Sequence, residues 1–131
     1  MVLVDTSVWS LALRRGHQSV HSEKLSELIT AAMVVLIGPI RQELLSGIPN
    51  QAVFNALKLR LEPFDDLPLT THDHETAAGY FNTCRSHGIQ GSHTDFLICA
   101  VAHNNDLQIF TTDQDFTHYA THLPIRLFKI S

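Results

Sequence analysis

Four short apolar runs punctuate the chain, and the first three end on residues that break them. Met1-Val2-Leu3-Val4 stops at Asp5, and Met33-Val34-Val35-Leu36-Ile37 closes on Gly38. Leu107-Gln108-Ile109-Phe110 closes on Thr111-Thr112-Asp113, and a last run spans Ile125 to Ile130. Runs of this length, apolar throughout, read as strands buried on both faces. The segments between them carry helical spacing instead. His21 to Ala32 places Leu25, Leu28 and Ile29 on one side, with Ser22 as its N-cap. Pro39 suits the first turn of another helix, and Gly47 its C-terminal end. Pro49 to Leu61, Thr71 to His87 (closed by Gly88) and Asp95 to His103 complete the set. Apolar strands alternating with helices predict an α/β fold with a parallel sheet covered on both faces. In such sheets ligands gather beyond the carboxyl ends of the strands.

Composition narrows the class. The chain has 131 residues, 44% hydrophobic and 17% charged, with no linker, low-complexity tract or repeat. These values fit a single globular domain over residues 1–131 and exclude a disordered or fibrous chain. Two cysteines are too few for a disulfide scaffold and point to a reducing, cytoplasmic setting. The longest apolar run, Ala31 to Ile40, is too short for a bilayer, so no membrane is expected. Asp5 stands where an export signal would be apolar, and no export is expected either. Thirteen acids against nine Lys and Arg leave a net charge of -4. That balance argues against a broad basic field for nucleic acid.

Four acids fall where this architecture would bring them together. Asp5 ends the first strand, Glu43 lies one turn into the helix after the second, Asp95 opens a helix, and Asp113 follows the strand ending at Phe110. Each has an ordinary account. Asp5 and Asp113 can cap helices, Asp95 can complete a capping box begun by Ser92, and Glu43 can balance Arg41. Capping does not explain why acids recur around one crevice. Two carboxylates about 4 Å apart repel by roughly 4 kcal/mol at an effective dielectric near 20. A group of four therefore favours a hard cation with oxygen ligands, Mg²⁺ or Mn²⁺, suited to phosphate-ester or phosphodiester chemistry.

The same residues carry a resemblance. Asp5-Thr6-Ser7-Val8-Trp9, Glu43, Asp95 heading an apolar helix, and Thr112-Asp113-Gln114-Asp115-Phe116 resemble, over essentially the whole chain, a PIN domain. Length and order are similar to the VapC-like toxin subunits of VapBC toxin–antitoxin pairs. The resemblance implies a three-layer fold with a central, mostly parallel sheet, and a metal-dependent endoribonuclease. Asp5 and Asp95 would be the most direct ligands of Mg²⁺ or Mn²⁺, Glu43 and Asp113 would complete the site, and Asp115 would be auxiliary. Thr6, Ser7 and Thr112 would supply hydroxyls that position carboxylates or water. The chemistry implied is in-line attack on RNA by metal-activated water. The implied partners are a second copy of the chain and a small antitoxin whose basic, Arg-bearing tail enters the acidic pocket.

Other features are read more plainly. His72-Asp73-His74-Glu75 falls at a helix start that Thr71 can cap, and His93 reads as a loop residue near Asp95. Cys84 and Cys99 read as buried small hydrophobes, Trp9 as core or interface, and Arg14-Arg15 as a solvated helix end. The stripe Val53, Phe54, Leu57, Leu61 reads as core, with the middle helices also candidates for dimer or antitoxin contact. Two other readings remain: a Mg-dependent phosphotransfer or phosphatase domain, and a non-catalytic PIN-like module. The first lacks the second acid two residues after Asp5, since position 7 is Ser, and a suitably placed Lys. Setting Asp5, Glu43, Asp95 and Asp113 aside leaves nine acids against nine bases, so the net charge equals the proposed pocket.

Overall fold

The structure, a computed structural model, describes residues 1–13 and 18–131. Arg14 and Arg15 lie outside the described residues. The elements run β1 (Val2–Val4), α1 (Thr6–Leu13), α2 (Val20–Thr30), β2 (Val34–Val35), α3 (Gly38–Leu45) and α4 (Gln51–Leu61). They continue with α5 (Thr71–Ser86), α6 (His93–Asn104), β3 (Gln108–Phe110), α7 (Asp115–Tyr119) and β4 (Arg126–Leu127). The four strands form one sheet in the order β2-β1-β3-β4, and all three pairings are parallel. All four expected strands are present, trimmed to two or three residues. The sheet gains a further parallel bridge between Leu36 and Asp66.

Burial explains why the apolar runs read as continuous rather than alternating. Leu3, Val4 and Ile109 are fully buried, and Val2 and Phe110 nearly so, because helices cover the sheet. Ile98 through Ala102 on α6 are likewise inaccessible, so this helix runs through the middle of the core. Trp9 is buried and meets Phe64 edge-on at 5.3 Å. Cys84 and Cys99 are free and buried. Burial raises both thiols, Cys99 further through the nearby Asp95 charge, which leaves them unreactive small hydrophobes.

Several boundaries differ from the sequence expectations for local reasons. Ser19, not Ser22, caps α2; Ser22 sits three residues on and returns its own hydroxyl to the Ser19 N–H at 2.9 Å. The helix thereby starts earlier, with both halves of a capping box made. Thr70, not Thr71, caps α5, again reciprocally with Asp73. Asn50 caps α4, so Pro49 lies outside it. Gly47 and Gly88 both take positive φ, +81° and +74°, just past α3 and α5, as helix-terminating glycines do. The α4 stripe is only partly core: Leu61 is buried, but Val53 is 54% exposed.

Candidate active site

The strand order places the site. From β1 the chain moves to one side for β2, then returns to the other side of β1 for β3 and β4. The reversal falls between β1 and β3, and a crevice opens at the carboxyl ends of strands flanking such a switch. Val4 pairs with Phe110, and the Asp5 N–H donates to the Phe110 carbonyl at 2.8 Å. The residues just after β1 and just after β3 are therefore held side by side.

Asp5 occupies the position of a helix cap without acting as one. Its backbone carbonyl accepts from the N–H groups of Val8 and Trp9, at 3.1 and 3.3 Å, which starts α1. Its carboxylate turns elsewhere: Oδ2 accepts from Ser7 Oγ and from Thr111 Oγ1, both at 2.8 Å. Each hydroxyl commits its proton to Asp5 and uses a lone pair for a backbone donor. Ser7 Oγ accepts the Thr112 N–H, and Thr111 Oγ1 accepts the Asp113 N–H, each at 3.0 Å. Asp5 is only 6% exposed, so this network is what keeps a buried carboxylate hydrogen-bonded. The resemblance points to the Thr112 hydroxyl; in the structure Thr112 contributes a backbone N–H, and Thr111 contributes the hydroxyl. Successive residues of an extended segment point to opposite sides, a signal that favours one threonine of the pair without saying which.

Asp95 is the third residue of α6, and Ser92 Oγ accepts its backbone N–H at 3.0 Å. Its carboxylate does not return the bond. Asp95 Oδ2 instead accepts from the Tyr119 hydroxyl at 2.7 Å, a contact no local pattern in the sequence announced. Burial raises the Asp95 carboxyl above its ordinary value, and the charges of Asp5 and Asp113 push the same way, against the Tyr119 bond and the Ser92 hydroxyl, which lower it. Tyr119 itself is pushed far up by burial and by Asp95. Asp113 Oδ1 accepts the N–H of Asp115 at 2.9 Å, a local turn that leads into α7; Asp115 itself is exposed.

Glu43 comes to the site from α3. Thr6 Oγ1 donates to Glu43 Oε1 at 2.9 Å, so the residue after Asp5 reaches across to the fourth acid. Arg41, one expected partner of Glu43, is otherwise engaged. It pairs with Asp66 at 3.0 Å and also donates to the Leu61 and Phe64 carbonyls. Beside Glu43 lies an open hollow of about 450 Å³, lined by Thr6, Pro39, Gln42, Ser46 and Thr94 as well. His93 is not in a loop: it is the first residue of α6 and stacks on Phe81 at 5.0 Å. Asp73 is buried in its capping box and takes a bond from Asn104 at 2.9 Å, which accounts for the His72–Glu75 segment structurally.

The donor set is all oxygen, and Asp5 and Asp113 are close enough to Asp95 for their charges to bear on its carboxyl. That chemistry fits a hard divalent ion. No group of three His, Cys, Asp or Glu side chains among the described residues is placed to hold an ion together.

The PIN domain family model matches residues 2–121. No curated protein sequence matches the chain. Among solved structures, FitAcB from Neisseria gonorrhoeae superposes with a TM-score of 0.81 at 27% identity, covering 98% of this chain and 97% of that one. VapBC2 from Rickettsia felis, bound to a DNA fragment from its promoter, gives 0.79 at 14% identity, covering all of both chains. VapC20 from Mycobacterium tuberculosis, a Sarcin-Ricin loop cleaving toxin, gives 0.68 at 20% identity, covering 96% of this chain and 99% of that one. No helix among the described residues is long and apolar enough to cross a membrane.

Proposed function

This chain belongs to the PIN domain family, and on that premise we propose that it is a metal-dependent endoribonuclease, the toxin of a toxin–antitoxin pair. The observation that carries the reading is the juxtaposition of Asp5 and Asp113 at the ends of the paired strands β1 and β3, tied through Thr111, with both charges bearing on the Asp95 carboxyl. Like charges gathered at a ligand-binding crevice, with Asp5 held by the Ser7 and Thr111 hydroxyls and Asp95 by the Tyr119 hydroxyl, favour a cation over neutralisation by Lys or Arg.

Asp5 and Asp95 are the residues that would hold Mg²⁺ or Mn²⁺, with Glu43 and Asp113 completing the site and Asp115 auxiliary. When bound, such an ion supplies Lewis acidity that lowers the pKa of water and offsets charge on a phosphoryl oxygen. The rest of the work belongs to the chain. Ser7 and Thr111 fix the Asp5 carboxylate through Oδ2, and Thr6 fixes Glu43. The carboxylates orient the attacking water in line with the scissile bond, and the open hollow beside Glu43 admits the RNA strand. Residues 1–131 act as one cytoplasmic domain that pairs with a second copy. A small antitoxin with a basic, Arg-bearing tail would neutralise the carboxylates by bidentate contacts.

The reading is tested by cleavage of structured RNA with Mg²⁺ or Mn²⁺, in wild type, Asp5→Asn and Asp95→Asn. Loss of cleavage in both variants is expected, and undiminished activity in both would overturn the mechanism. Inhibition by a small protein encoded beside this one checks the toxin assignment separately.

A further inference from the structure

Tyr119 is fully buried on α7, between Phe96 at 4.9 Å and Phe116 at 5.1 Å. A buried phenol needs a hydrogen-bond partner, and a backbone carbonyl would serve. Here the partner is Asp95 Oδ2, a carboxylate of the acid group, at 2.7 Å. The fold makes room for this hydroxyl at the cost of a side chain elsewhere. A Cβ at Gly91 would strike Tyr119 Oη and lie 2.8 Å from its Cζ and 2.9 Å from Phe96 Cζ. The Asp95 carboxylate also makes no bond to the backbone N–H of its cap residue. In α5 the corresponding acid, Asp73, returns Oδ2 to the cap backbone N–H of Thr70 at 2.9 Å. In α6 the Ser92 hydroxyl accepts the Asp95 N–H, but the carboxylate is drawn to Tyr119.

We propose that Tyr119 is a positioning residue for the metal-holding carboxylate of Asp95. By taking Oδ2 it fixes the carboxylate's orientation and leaves Oδ1 as the oxygen available to a divalent ion, much as outer hydrogen-bond partners fix ligands in other metal sites. Gly91 is part of the same device, since it supplies the space that the phenol end occupies. The inference rests on the reading that Asp95 holds Mg²⁺ or Mn²⁺.

The test is Mn²⁺ binding by calorimetry to the full-length wild type, Tyr119→Phe, Asp95→Asn and the double variant. Tyr119→Phe keeps the ring and its packing. Its Mn²⁺ affinity is expected to fall about ten- to a hundredfold. In the Asp95→Asn background the same change is expected to have no further effect. RNA cleavage by Tyr119→Phe should lose kcat at low Mn²⁺, recover it at saturating Mn²⁺, and keep its KM for RNA. A purely structural hydroxyl gives a different result: a lower unfolding midpoint with wild-type Mn²⁺ affinity, which overturns the inference and leaves the metal reading intact. A wild type that binds no Mn²⁺ overturns both. A measurement on wild type alone guards against a misfolded variant. The Tyr119 hydroxyl proton, followed by NMR, should shift on titration with Mg²⁺, and its indifference to Mg²⁺ that does bind would also overturn the inference.

Discussion

Thr6 Oγ1 donates to Glu43 Oε1 at 2.9 Å, joining the first turn of α1 to the middle of α3 across 37 residues. The bond ties an exposed acid to the residue that follows the buried Asp5. Thr6→Val removes the hydroxyl and keeps the shape. RNA cleavage is expected to drop about tenfold, with a stability loss of about 1 kcal/mol or less. Cleavage rate and urea denaturation on the same preparation check the two parts.

Thr111 and Thr112 offer an internal control. Thr111→Val deletes a donor to Asp5 Oδ2 and the acceptor for the Asp113 N–H. It should cost about 1–3 kcal/mol by leaving a buried carboxylate short of a partner, and cleavage should fall with it. Thr112→Val leaves the backbone N–H on Ser7 untouched and should change both by far less. Equal effects in the two variants, in denaturation and in cleavage, would contradict the assignment.

The two similar helix starts, Thr70 to Asp73 and Ser92 to Asp95, show how far the sequence could be read. Both present a hydroxyl residue followed three positions later by Asp, the local signature of a capping box. At α5 the signature is fulfilled, and Asp73 is structural. At α6 only half of it forms: the Ser92 hydroxyl accepts the Asp95 N–H, and Asp95 Oδ2 takes the Tyr119 hydroxyl. Local spacing points to a cap in both places, although the sequence reading sets the one at α5 on Thr71, a residue late. It carries no information about a tyrosine 24 residues downstream.

Asp73 should therefore show its role in stability as a function of pH. Burial raises its carboxyl, but bonds from Asn104 and Thr70 and the charge of His72 outweigh this and hold it below 3.8. A carboxyl depressed in the folded state contributes stability that is present above its unfolded value and lost as pH falls through its folded value. Asp73→Asn should be less stable than wild type by about 1–3 kcal/mol near pH 7. The gap should narrow only below pH 3.8, as Asp73 itself protonates. Denaturant midpoints between pH 7 and pH 2.5 measure it.

Gly91→Ala tests the space beside Tyr119. The added methyl would meet Tyr119 Oη and Cζ and the tip of Phe96, all in the core. Overpacking of this kind costs about 1–3 kcal/mol. An unchanged denaturation midpoint would mean that the phenol end is not packed as described.

The sequence alone determined what depends on neighbours along the chain. Four short, mostly apolar runs, the first three closed by an acid, a glycine or a Thr-Thr-Asp turn, read as strands, and the helices between them point to a parallel sheet. Asp5, Asp95 and Asp113 were legible as a group because each sits at the end of such an element, and Glu43 because its helix follows the second strand. Tertiary structure decided what depends on order within the sheet. Placing β3 against β1 brings Thr111, rather than Thr112, onto Asp5. Packing α7 on α6 turns Asp95 from its cap toward Tyr119. These bonds join residues 24 and 106 positions apart. Hydrogen bonds act over about 3 Å of space, and the three-dimensional path of the chain alone sets which distant residues come within that reach.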